Sequence, residues 1–161
     1  MALSDLEGER MSRHLRRKQR REGFQHKRLD HGNVTMAQMP WRIRDTFGPV
    51  EDLLTALETT GDIDIDKDGP VYRAPTSHEW FDLAGAIEGF AAFYDQHARI
   101  SGREMPTKSL HQLANKFSYG VMVFQSDVDA VRRDLAILKA ETLPMTENYT
   151  TAIIHTMQEA T

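Results

Sequence analysis

The sequence predicts a mainly α protein: a compact bundle of four to five helices with one short β-hairpin and an extended basic N-terminal arm. Three observations carry that prediction. From Asp45 onward, apolar residues recur at spacings of three and four in one segment after another. Between the first two of these segments, "DIDIDKDGPVYRAP" alternates acids with isoleucines and then turns at Lys67-Asp68-Gly69. Near the start, Arg10 to Arg28 carries nine Lys/Arg against the single acid Glu22. A chain of 161 residues is long enough for one domain with its own core. The expected division is a basic arm and linker over residues 1–44 and an acidic helical domain over residues 45–161.

Charge follows the same division. Residues 1–44 hold 11 Lys/Arg and 5 Asp/Glu, and residues 45–161 hold 9 and 19, so +6 stands against −10 within a total of −4. The stretch Arg10 to Arg28 has only Met11, Leu15 and Phe24 to bury, too little to offset the entropy of ordering it. It is therefore expected to be partly disordered alone. Its Arg, Leu, Lys and Gln favour helix, so Ser12 to Glu22 should become helical once a polyanion screens the charges, with Gly23 as the stop. "LDHGNVTMAQMP" mixes Gly, Asn and Pro with two methionines and reads as a linker lying along the domain.

In "GPVEDLLTALETTG", Pro49 is expected at a first helical position, with Val50, Leu53, Leu54 and Leu57 on one face and Gly61 as the stop. The hairpin follows, with Ile63 and Ile65 inward. Thr76 and Glu79 then stand at capping-box spacing before a long helix that is apolar over most of its circumference, through Trp80, Phe81, Leu83, Ile87, Phe90, Phe93 and Tyr94. That helix is expected at the centre. "TKSLHQLANKF" sets Leu110, Leu113, Ala114 and Phe117 on one face, which Val121 and Phe124 extend unless Gly120 breaks it. Ser126 and Asp129 are the next capping pair, before Val128, Val131, Leu135 and Leu138, and Pro144 ends that helix. Thr146 starts a last helix that presents Tyr149, Ile153 and Met157.

Little of this carries chemistry. Asp64, Asp66, Asp68 and Gly69 match the start of a calcium loop, in which alternating carboxylates converge on one ion. The twelfth position, where a bidentate Glu belongs, is Pro75. A hairpin with a charged rim is the better reading, and no metal or cofactor is expected. "SLHQLANKFSYGVMVFQSDVDAVRRDL" suggests a helix-turn-helix, but its turn is too long, and Asp127 and Asp129 would face phosphates with the wrong sign. His97 and His111 fall on different helices and read as solvated side chains rather than a pair. Trp41 and Trp80 read as core or interface aromatics. No cysteine, nucleophile elbow, P-loop or dinucleotide fingerprint is present, so an enzyme is the least supported class.

The order of parts, "MSRHLRRKQRREG", "FGPVEDLLTAL" and "GDIDIDKDGPVYRAPTSHEWFDLAGAIEGFAAFYD" followed by capped helices, loosely resembles small uncharacterised proteins encoded by bacteriophages and prophages. The resemblance brings no catalytic signature. It implies a binding or inhibitory role in the cytoplasm of a bacterial host cell, and leaves both Met1 and Met11 open as the natural start.

The expected function is a non-enzymatic binding protein. Its arm engages nucleic acid without strong sequence preference through Arg13, Arg16, Arg17, Lys18, Arg20, Arg21, Lys27 and Arg28. The helical domain docks on a protein or on another copy of itself, as a homo-oligomer. The alternative is a protein-interaction, host-inhibitory or virion-assembly module whose arm binds an acidic protein surface. No run approaches eighteen apolar residues, so no membrane partner is expected.

Overall fold

The computed structural model describes residues 31–59, 65–66, 69–73 and 80–160. Contacts divide the chain into two units, Met1–Val34 and Thr35–Thr161. Of the first, a single 3-10 turn, His31–Asn33, is described. The second holds five helices among its described residues: α1 (Pro40–Thr59), α2 (Leu83–Ser101), α3 (Lys108–Ser118), α4 (Gln125–Thr142) and α5 (Glu147–Glu159). The protein is mainly helical.

The second unit begins with a stitch. Thr35 bridges Thr146, the Met36 N–H donates to the Met145 carbonyl at 2.8 Å, and the Ala37 N–H donates to the Leu143 carbonyl at 2.9 Å. Gln38 Oε1 accepts from the Thr35 N–H and closes a 3-10 turn over Met36–Gln38. Met36 and Met39, which the sequence placed in a linker lying along the domain, are both buried.

Helix α1 starts at Pro40, where a proline's missing N–H costs nothing. The sequence predicted the start at Pro49, which lies inside the helix instead. Pro49 leaves the Asp45 carbonyl without its helical donor, but both residues are exposed and water can supply one. The buried face runs past it without a break, through Ile43, Phe47, Val50, Leu53 and Leu54. Packing along that face outweighs the local preference.

Helix α2 also starts away from its expected position. Its cap is Asp82, whose carboxylate accepts from the N–H groups of Ala84 and Gly85 at 3.0 and 3.3 Å. Trp80–Asp82, expected inside that helix, is a strand that pairs antiparallel with Gly69–Arg73, Tyr72 opposite Phe81. Ile65–Asp66 pairs with the same segment, Asp66 opposite Gly69. Residues 62–64, 67–68 and 74–75 of the hairpin expected over Asp62 to Pro75, and the expected cap at Thr76 and Glu79, lie outside the described residues.

The later helices follow the apolar spacing. Leu110, Leu113, Ala114 and Phe117 are buried on α3, and Val128, Val131, Leu135 and Leu138 on α4. Gly120 breaks the first of these faces, with φ +61°, so Val121 and Phe124 do not extend it and are exposed along with Tyr119 and Met122. Helix α4 starts at Gln125, before the predicted capping pair of Ser126 and Asp129. Asp127 is the residue that caps it, accepting from the Phe124 N–H at 2.8 Å and pairing with Lys116. Thr146 caps α5 as expected, accepting from the Tyr149 N–H at 3.2 Å.

Helix α2 packs most extensively on α3 and also meets α5, while α1 lies on α4. Between α1 and α2 stands an aromatic cluster. Phe47 meets Phe90 edge to face at 5.4 Å, and Phe90 and Phe93 both contact Tyr94. The sequence took α2 to be central, and its contacts on several sides agree with that. Trp41 is half exposed and is not a core residue.

Candidate functional site

Helix α2 carries polar groups on two faces. On the buried one, Tyr94 and His97 continue the series Leu83, Ile87 and Ala91, so helical geometry takes both into the interior. The Tyr94 hydroxyl lies 2.6 Å from Thr142 Oγ1, and Thr142 donates its own proton to the Leu138 carbonyl at 2.7 Å. A hydroxyl has one proton, so Tyr94 is the donor in the pair and its lone pairs stay open. Burial pushes the Tyr94 phenol up to about 12, against a smaller downward pull from Thr142. His97 Nδ1 meets the Tyr149 hydroxyl at 2.7 Å. Its Nε2 is buried with no hydrogen-bond partner among the described residues, with Glu141 Oε2 3.8 Å away.

On the outer face, His111 of α3 is held between two carboxylates of α2. Nε2 lies 2.7 Å from Asp95 Oδ2 and Nδ1 lies 2.9 Å from Glu88 Oε2, while Thr107 donates to the other Asp95 oxygen. Burial pulls the imidazole pKa down, but the hydrogen bonds and attraction of Asp95 and Glu88 outweigh it and raise it above the ordinary value. Both ring nitrogens are occupied, so this histidine is a clasp between two helices. His97 and His111 take separate partners.

Two hollows flank the aromatic cluster. One, of about 240 Å³, is lined by apolar residues of α1 and α2, among them Val50, Leu53, Ile87 and Phe90. The other, of about 300 Å³, is of mixed character. Met36, Phe90, Phe93 and Ile154 supply its apolar wall, and Arg42, Thr46, Tyr94, Thr142 and Thr150 its polar groups. Arg42 is bonded to Glu147, which stands one turn before Thr150 on α5.

The residues singled out in the sequence are mostly elsewhere. Arg13, Arg16, Arg17, Lys18, Arg20, Arg21, Lys27 and Arg28 all lie outside the described residues. So do Asp64 and Asp68, while Asp66 lies in the strand Ile65–Asp66. Among the described residues no group of three or more His, Asp or Glu is arranged to hold a metal, and no helix is long and apolar enough to cross a membrane.

The polar group around Tyr94 and the Arg42–Glu147 pair were missed. Thr46, Thr142 and Thr150 have no local signature, and their meeting depends on how α1, α4 and α5 pack. The one available signal was a tyrosine on the buried stripe of α2, which must find a partner for its hydroxyl. No protein-family model matches the sequence, and no curated protein or solved structure matches it either.

Proposed function

We propose that the protein is a non-enzymatic binding protein whose basic arm engages nucleic acid without strong sequence preference, while its helical domain docks on a protein or on a second copy. The observation that carries this reading is the run of nine Lys/Arg against one acid in Arg10 to Arg28. Such a run neutralises phosphates and releases their counterions, which gives affinity without base readout. Five cations of the second unit, by contrast, are engaged by its own acids. Arg42, Arg103, Lys116, Arg132 and Lys139 each pair with a carboxylate of Thr35–Thr161. The resemblance to phage-encoded proteins belongs to the same proposal and favours binding over metabolism. So does the hairpin over Asp62 to Pro75, taken as a charged rim and not as a calcium loop.

The test is gel retardation of duplex DNA and of RNA by the full chain over a series of salt concentrations. If about five phosphates are neutralised, log affinity for duplex DNA falls with log salt at a slope of about −4 to −5. Replacing Arg13, Arg16, Arg17, Lys18, Arg20 and Arg21 by Gln abolishes the complex and leaves the helical circular-dichroism signal intact. Absence of a complex at low salt, or equal binding by the six-Gln variant, refutes the reading. The second reading, an arm for acidic protein surfaces, is favoured by the −10 of residues 45–161, which makes a second copy an acidic target. A pull-down whose captured partner survives nuclease treatment supports that alternative.

A further inference from the structure

The hollow of about 300 Å³ where α1, α2, α4 and α5 meet has a lining that divides by chemistry. Phe90, Phe93, Met36 and Ile154 give it an apolar wall with two rings in it. Tyr94, Thr142 and Thr150 bring hydroxyls from three different helices. Tyr94 donates to Thr142, Thr142 donates to the Leu138 carbonyl, and Thr150 donates to the Glu147 carbonyl at 2.9 Å. Each proton is therefore spent within the protein, and each oxygen keeps a lone pair. Thr46, on α1, can turn its proton either way. Arg42 is the one charged side chain of this lining among the described residues, and it is already bonded to Glu147.

We propose that this hollow binds an uncharged aromatic molecule that carries a hydrogen-bond donor on its ring, a phenol being the simplest. The rings of Phe90 and Phe93 offer edge and face contacts to a planar guest. Hydroxyls that have spent their protons favour a guest that donates over one that can only accept. A charged guest is disfavoured for either sign. A carboxylate would have to share Arg42 with Glu147, an ammonium would meet Arg42 as a like charge, and both would lose water against the apolar wall. The guest's hydroxyl donates to the oxygen of Tyr94, the most deeply buried of the three residues at 1 % exposed. The volume stands at the lower end of ligand pockets, about 300–1,000 Å³, which suits a guest of one ring. The site lies within Thr35–Thr161 and does not depend on the nucleic-acid reading.

The test is methyl NMR on the full chain, following Met36 and Ile154 during titration with three probes: p-cresol, 4-methylanisole, which keeps the ring and its oxygen but has no proton to give, and 4-methylbenzoate, which is an anion. The p-cresol titration is expected to saturate with a Kd below about 1 mM, and about fivefold more tightly than 4-methylanisole, the ratio for one net hydrogen bond. The benzoate is expected to bind more weakly than p-cresol. Tyr94→Phe keeps the ring and removes the acceptor, and is expected to bring p-cresol and 4-methylanisole to the same affinity. Ile154→Trp, at a half-exposed position of the lining, is expected to fill the hollow and abolish binding of both while the thermal transition persists. No saturable shift with p-cresol up to about 10 mM overturns the proposal. So does a parent chain that binds 4-methylanisole or the benzoate as tightly as p-cresol, a folded Tyr94→Phe variant that keeps the fivefold preference, or a folded Ile154→Trp variant that still binds. Should Tyr94→Phe fail to fold, the cresol-to-anisole ratio of the parent and the Ile154→Trp variant decide.

Discussion

His111 is the side chain whose environment makes the sharpest statement about solution behaviour. Asp95 and Glu88 of α2 receive its two ring nitrogens, and Thr107 holds Asp95 in place. Because the folded chain raises its pKa above the ordinary 6.5, folding favours the imidazolium. The resulting contribution is fully present below about pH 6.5 and is lost as pH rises through the higher folded value. The denaturation midpoint of the parent is therefore expected to exceed that of His111→Gln by more at about pH 5.5 than at about pH 8.5. A constant gap across that range would mean that the clasp carries no charge. Asp127 shows the opposite sign. Burial raises its pKa, but Lys116 and the Phe124 N–H outweigh burial and hold the carboxyl below the usual range. None of these partners was legible in the sequence. Asp95 and His111 lie on different helices, and only the packing of α3 on α2 brings them together.

At the level of whole elements, the spacing of apolar residues proved more informative than the punctuation. Leu110, Leu113 and Phe117, and Val128, Val131, Leu135 and Leu138, are buried as their spacing predicts. Helix starts were misplaced wherever a local signal competed with packing. Pro49 looks like an opening residue, but the stripe from Ile43 to Leu54 continues through it. Asp82 caps α2 by accepting two N–H groups, at a point where Trp80 and Phe81 have already been taken into a strand. The glycines of these elements give opposite predictions. Gly89 is exposed inside α2, and a Cβ there meets nothing within 4 Å. Gly89→Ala is expected to stabilise by about 0.5–1 kcal/mol, by restricting the unfolded chain and suiting the helix. Gly120 ends the α3 region at φ +61° in equally open space, and Gly120→Ala is expected to cost about 1–2 kcal/mol because only its backbone conformation is at issue. Urea titration of the two variants checks the sign of each.

For the molecule as a whole, the buried apolar side chains among the described residues run from Met36 to Ile153, all of them in the second unit. Removal of Met1 to Arg28 is therefore expected to leave a cooperative thermal transition, with a midpoint within a few degrees of the parent. Loss of that transition in a calorimetric scan would make the arm part of the fold. The ion pairs that tie α1 to α4, Arg132 with Glu58 and Lys139 with Glu51, are partly exposed and modest contributors beside the packing of Phe47, Leu54, Val131 and Leu138.

The stitch at Thr35 to Ala37 also bears on how the chain is made. Its partners, Leu143, Met145 and Thr146, are synthesised only after α1 to α4. A growing chain emerges in order, so Met36 must wait for its partner until α4 has been added. Helix α1 waits too, since its ion-pair partners Arg132 and Lys139 come from α4. The α2–α3 hairpin of helices, whose mutual contacts are the most extensive and join consecutive helices, has everything it needs much earlier. Translation thus makes the α2–α3 pair available first, and the stitch can close only once α4 and the residues after it have followed.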